Sequence, residues 1–232
     1  QKCPDCITKI KFLVDEGSFR YGLTGSLLGV ELKDLKAKAE QMNKDADMPV
    51  GYMDIKEMFP LDFEEFTEAI GVAPNVWVHI RECFDERKMV DAVVHERMMA
   101  VYRLYLMVGG MPEPVMQYLK SNDMQLVGQE QQAILNLYKQ DIGQYDTGNK
   151  LYIDEIFKLI PSELNAKNKR FILKNLNENF KFNRYEDSFL WLKNAGVAIP
   201  TYNVEEPKVP FILNKQRNLF KLFQNDVGLL AY

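Results

Sequence analysis

Apolar residues recur at helical spacing over most of the chain, and the alternation of a half-buried strand is confined to short runs. Ile7, Ile10, Leu13 and Val14 fall three and four apart, which predicts an amphipathic helix over 2–16. Phe19-Arg20-Tyr21-Gly22-Leu23 reads next as a short buried strand that breaks into a small polar turn, Thr24-Gly25-Ser26. Residues 31–44 are rich in Ala, Lys and Glu and poor in large apolar groups, as in an exposed helix or a loop. Pro49 precedes a second predicted strand over 50–55. Pro60 and Asp62 then lead into Phe63, Phe66 and Ile70, a helix with an acidic first turn that Gly71 and Pro74 are expected to close.

Beyond 71–80 the pattern turns almost wholly helical. Residues 89–108 are dense in apolar groups and predict a central, well-buried helix, stopped by Gly109-Gly110-Met111-Pro112. Val115, Tyr118 and Leu119 mark the next helix. Ala133, Ile134, Leu137, Tyr138 and Ile142 share one face of a longer helix over 126–142. Ile153, Ile156, Phe157 and Ile160 predict a short helix closed by Pro161, followed by helices over 165–176 and 185–193. Short strands are then expected at 197–199, 209–213 and 219–223. Three helices followed by strands suggest a winged-helix arrangement, with Pro200, Pro207 and Pro210 at strand edges or in the wing.

Composition narrows the function classes only a little. The 232 residues are 47% apolar, so a packed core is expected, and two modest domains are the default at this length. A net charge of -4 gives no general attraction to nucleic acid or to acidic membrane. No apolar run reaches the ~18–20 residues of a membrane span, so no membrane partner is expected. Three cysteines, an odd number, do not suggest a disulfide framework, and the cytoplasm is the simplest setting.

The leading candidate site is the Thr24/Ser26 turn. A hydroxyl at the carboxyl end of a strand can hold an attacking water or a terminal phosphate oxygen. No Gly-rich loop with Lys-Ser/Thr precedes it to grip a nucleotide. Asp15-Glu16 and Asp62, Glu64, Glu65 and Glu68 could serve as metal ligands or an acid/base pair, but carboxylates at helix starts are the simpler reading. Cys3 and Cys6 have the spacing of a dithiol or half a zinc site, and His79 with Cys83 is the local pair that could complete it. His95 lies in an apolar helix and reads as a satisfied, partly buried imidazole. Between Pro161 and Pro200 stand Lys167, Lys169, Arg170, Lys174, Lys181, Arg184 and Lys193 against Glu163, Glu178, Glu186 and Asp187, a local positive excess of three. That bias fits phosphate contact. The helix at 185–193 carries two acids and much apolar surface, and suits packing against protein better than reading a groove.

Several segments together resemble a known family. They are Leu23-Thr24-Gly25-Ser26-Leu27-Leu28-Gly29-Val30, Pro60-Leu61-Asp62-Phe63-Glu64-Glu65-Phe66, Val108-Gly109-Gly110-Met111-Pro112-Glu113, Tyr138-Lys139-Gln140-Asp141-Ile142, Ile160-Pro161-Ser162-Glu163-Leu164 and Asp226-Val227-Gly228-Leu229-Leu230. In this order they resemble prokaryotic AAA-superfamily ATPases in which a P-loop NTPase domain precedes a helical and winged-helix domain of unknown function. The resemblance implies an α/β remnant of a P-loop ATPase domain over 1–75, a helical domain over 76–150 and a winged-helix-like domain over 151–232. It implies that the chain follows a Walker B strand, and that Thr24 and Ser26 are catalytic residues sensing the γ-phosphate. ATP and Mg would be held by a missing N-terminal ATPase segment, and the rest would couple nucleotide state to an unknown protein partner. The rival expectation is a winged-helix DNA-binding or DNA-associated module.

Overall fold

The computed structural model describes residues 12–17, 19–22, 24–25, 56–144, 150–176 and 185–232. Helix α1 (Phe63–Ala69) starts at Asp62 through a reciprocal capping box. Asp62 Oδ1 accepts from the Glu65 backbone N–H at 2.9 Å, and Glu65 Oε2 accepts from the Asp62 N–H at 2.9 Å. Two of the four donors left over at a helix start are thereby satisfied. Asp62→Ala should cost about 1 kcal/mol, read as a lower urea midpoint; an unchanged midpoint would show that the box contributes nothing.

Pro74, expected to end a helix, instead opens α2 (Pro74–Asp85) at its first position, where the missing N–H costs nothing. Helix α3 (Ala92–Val108) is capped by Asp91, whose carboxylate accepts from the Val93 and Val94 N–H groups. Pro112 opens α4 (Pro112–Ser121), and α5 (Met124–Gln144) follows. Phe66, Val108, Val115 and Val127 form the core of this helical block, with Leu61, Val101 and Tyr105 packed around them.

Helix α6 (Lys150–Asn165) begins the second half. Pro161 lies inside it and does not close it; the helix runs one more turn, with Ser162 Oγ donating to the Leu159 carbonyl. The helix expected over 165–176 is reduced to a 3-10 turn at Leu173–Asn175, because Lys169 adopts a left-handed conformation (φ 52°) that an α-helix cannot include. Helix α7 (Glu186–Asn194) follows, then β1 (Ala198–Val204) and β2 (Lys215–Gln224). The two strands pair antiparallel from Ala198↔Gln224 to Val204↔Lys215, with an irregularity between Tyr202 and Asn203. The segment 209–213, expected to be a strand, belongs to the connecting loop and enters a 3-10 turn at Phe211–Asn214. Pro207 and Pro210 bring no donor to a ladder there. Ile153, Ile156, Ile160, Phe171, Leu192 and Phe220 anchor a second core, which Ile142 of α5 also enters.

Helix α8 (Val227–Ala231) returns the chain to the helical block and packs on α3. Asp226 sits at this joint. Its Oδ2 accepts from the Gly110 N–H at 2.6 Å and its Oδ1 from the Leu229 N–H at 3.0 Å. Gly109 and Gly228 are packed too tightly here to carry a side chain: a Cβ on Gly109 would overlap the Asp226 carboxylate, and one on Gly228 would lie 2.5 Å from the Val108 carbonyl oxygen.

Three expectations are corrected. Helix α3 is not buried all round: Val108 is its fully buried side chain, while Val93, Met99, Tyr102, Leu106 and Met107 are exposed. Its packed neighbours α1, α4, α5 and α8 leave the rest of its surface open. The α/β remnant of a P-loop ATPase domain is overturned. Residues 19–22 and 24–25 form no strand and are exposed, and the strand expected at 50–55 lies outside the described residues. What the described residues build is predominantly helical, with one small, open antiparallel sheet. A strand buried on both faces needs neighbours on either side, and Phe19 and Tyr21 have none among the described residues. The AAA-superfamily reading, with its Walker B and sensor strands, falls with that sheet.

Candidate functional site

Thr24 is exposed and belongs to no regular element, and Ser26 lies outside the described residues. The turn therefore has no strand beneath it to fix a hydroxyl against phosphate. The ATP and Mg implied by the resemblance are corrected on the same ground. No phosphate-cradling sheet is formed, and no group of three or more His, Cys, Asp or Glu side chains among the described residues could hold a metal ion.

The acidic candidates are spent on structure. Asp62 and Glu65 cap α1, and Glu64 pairs with Arg81 of α2. Glu68 and the pair Asp15-Glu16 are exposed. His79 and Cys83, one turn apart on α2, do meet, with Nε2 3.6 Å from Sγ; Cys3 and Cys6 lie outside the described residues. His95 is exposed on α3, contrary to the partly buried imidazole expected.

Two tyrosines and one acid have environments that shift their protonation. Burial, reinforced by the negative charges of Asp226 and Asp62, pushes the Tyr105 phenol up to about 12. Its hydroxyl donates to the Leu61 carbonyl at 2.9 Å. Burial likewise raises Tyr138, whose oxygen accepts from Asn225 Nδ2 at 3.0 Å. Asp226 is raised by burial, against the opposing pull of the backbone N–H groups of Gly110, Leu229, Gly228 and Met111. All three lie at the joint between the two halves, bonded to protein, so they hold structure together there.

The loop between α6 and the 3-10 turn is different. Lys167, Lys169, Arg170 and Lys174 are all exposed, and no acidic residue occurs between Leu164 and Leu176. Glu163, the nearest acid, is buried and faces inward, with its carboxylate accepting from the Ile172 N–H at 2.8 Å and from Asn175 Nδ2 at 2.5 Å. The Phe171 N–H donates to the Phe220 carbonyl at 3.0 Å, which ties this loop to β2 beside exposed Lys221. Sequence reasoning counted Glu163 against these cations; the fold removes it from the surface. By contrast, α7 presents Glu186 and Asp187 in its first turn and half-exposed Leu190. The loop joining β1 to β2 presents Val209, Phe211, Ile212 and Leu213.

The order of α6, the 3-10 turn, α7 and the antiparallel ribbon resembles a winged-helix module, with the 205–214 connection in the place of the wing. No helix among the described residues is long and apolar enough to cross a membrane. Residues 99–232 match the family model for a domain of unknown function, DUF8612, and since they are more than half of the chain, the protein belongs to that family. No curated protein matches the chain, and no solved structure does.

Proposed function

We propose that residues 151–232 form a winged-helix-like module that associates with duplex DNA through its phosphates and does not read base sequence. The supporting observation is the exposed cluster Lys167, Lys169, Arg170 and Lys174, extended by Lys221, from which the one nearby acid is turned inward. Cations held on a loop fixed to the sheet release condensed counterions when they meet phosphates, and that term supplies sequence-independent binding. Helix α7 would meet phosphates with Glu186 and Asp187, so groove reading by that helix is no part of the proposal. A cytoplasmic setting belongs to the proposal as well, supported by an odd cysteine count that does not suggest a disulfide framework.

The test is fluorescence anisotropy of a labelled duplex against added salt. If all five cations touch phosphate, log K should fall with log salt at a slope of about -4 to -5, at about 0.9 per contact. Two duplexes of unrelated sequence should give the same curve. Reversing Lys169 and Arg170 to Glu should weaken binding more than tenfold at low salt. Absence of binding at low ionic strength would end the proposal.

A further inference from the structure

The connection between β1 and β2 closes on itself and presents apolar side chains to solvent. The Glu205 N–H donates to the Asn214 carbonyl at 3.1 Å, and the Leu213 N–H donates to the Pro210 carbonyl at 3.1 Å. Asn203 Nδ2 donates to Gln216 Oε1 at 2.8 Å, and Gln216 Nε2 donates to Glu205 Oε1 at 2.9 Å. On that braced base Val209, Phe211, Ile212 and Leu213 are 82%, 53%, 76% and 78% exposed. A contiguous apolar knob already ordered before contact loses little conformational freedom on docking.

Charge restricts what the knob fits. Glu205 and Glu206 balance Lys208 and Lys215, and Lys208 is paired with Glu206 at 2.7 Å. A neutral tip has no attraction for DNA or for an anionic lipid surface. It calls for an uncharged, partly apolar receptor, and this chain carries one. A shallow depression of about 550 Å³, lined by Pro161, Ser162, Leu164, Asn165 and Leu230, has no charged residue in its wall. Its volume is in the range that accommodates two or three side chains.

Knob and depression sit at opposite ends of the module. Strand β2 leaves the knob at Lys215 and ends at Gln224, next to α8, which carries Leu230. Ten extended residues span about 30 Å at ~3.3 Å each, so a molecule cannot fill its own depression. We propose that the tip formed by Phe211, Ile212 and Leu213 inserts into the Pro161–Leu164–Leu230 depression of a second copy. Such a contact is heterologous, so each molecule keeps one free knob or one free depression, and association proceeds head to tail.

Sedimentation velocity on the full chain without nucleic acid tests this independently of DNA binding. The weight-average mass should rise with concentration up to about 1 mM, the weak limit of specific association. Ile212→Asp and Asn165→Arg alter exposed positions, and each should leave a folded monomer, checked by circular dichroism. Mixed in equal amounts, they should form a dimer and nothing larger, since one intact knob meets one intact depression. A monomeric native chain at the highest concentration would overturn the proposal. So would undiminished association of Ile212→Asp. A mixture that stays monomeric would do the same and leave tip-to-tip contact, or a different protein, as the occupant.

Discussion

Gly110→Ala is expected to destabilise the chain by about 3 kcal/mol or more, the largest effect of any single methyl group added to this fold. A Cβ at Gly110 would overlap the Leu61 carbonyl oxygen and lie 2.8 Å from the Leu61 nitrogen and 2.9 Å from its carbonyl carbon. All three are backbone atoms, and Leu61 is held in place by its own N–H, which donates to the Gly110 carbonyl at 2.8 Å. Neither side can give way without breaking that bond or the Tyr105 hydroxyl bond to the Leu61 carbonyl. Gly71→Ala is the control. Gly71 has φ of 86° but nothing within 4 Å of its Cβ position, so that change carries only the left-handed penalty of about 1 kcal/mol. Urea unfolding of the two variants separates crowding from conformational strain. Equal midpoints would mean that the backbones do not cross closely at Leu61.

The helix starts were legible because the chemistry that makes them is local. Asp62 and Glu65 lie three apart and bond only to each other's backbone, and Pro112 falls where a first turn tolerates it. Pro74 carried the same signal, but Gly71 three residues earlier made it read as a stop. The contact that joins the two halves could not be read this way. Gly110 and Asp226 are 116 residues apart, and nothing in Gly109-Gly110 or Asp226-Val227-Gly228 alone shows that one segment lies on the other. Local apolar runs also left strand and loop undecided. Residues 209–213 and 19–23 have the composition of buried strands, yet the first is an exposed loop and the described part of the second is exposed backbone. A run of apolar residues becomes a strand only where other strands accept its hydrogen bonds.

The candidate interface was half visible. Lys167, Lys169, Arg170 and Lys174 stand out in the sequence, and so does the local positive excess. Their segregation does not, because it depends on the Glu163 carboxylate turning inward to satisfy the Ile172 N–H and Asn175, nine and twelve residues on. The knob was misassigned for the same kind of reason. Its apolar residues were credited to a strand because exposure is a property of the folded chain, and a sequence of this kind is the same whether its side chains face a core or solvent. The Thr24/Ser26 reading leaned on a strand whose neighbours would have to come from elsewhere in the chain. Two hydroxyls in a turn acquire chemistry only from the frame beneath them.

Asp226→Asn should destabilise the chain by about 1–3 kcal/mol, and the way that cost changes with pH will show which force dominates at the joint. The carboxylate accepts from backbone N–H groups on both sides, through Gly110 and Leu229, and it is almost fully buried. An asparagine keeps one acceptor and turns an amide donor toward N–H groups that are themselves donors. Burial raises the acidity constant of Asp226 above the ordinary 3.8, while the N–H groups of Gly110, Leu229, Gly228 and Met111 pull it down and do not prevail. A carboxyl that is harder to ionise when folded binds more protons in the folded state between the two values. Its contribution is therefore fully present below about pH 3.8 and is lost as pH rises through the folded value. Asparagine does not titrate, so the stability gap between native and variant should be widest in acid and narrow as pH rises. Tyr105 and Tyr138, raised in the same region, remain protonated over that range and leave the trend to Asp226. Paired urea curves from acid to neutral pH make the measurement. A gap that widens with rising pH would mean that the N–H donors outweigh burial, and that the joint is held by a charged carboxylate and not by one kept near neutrality.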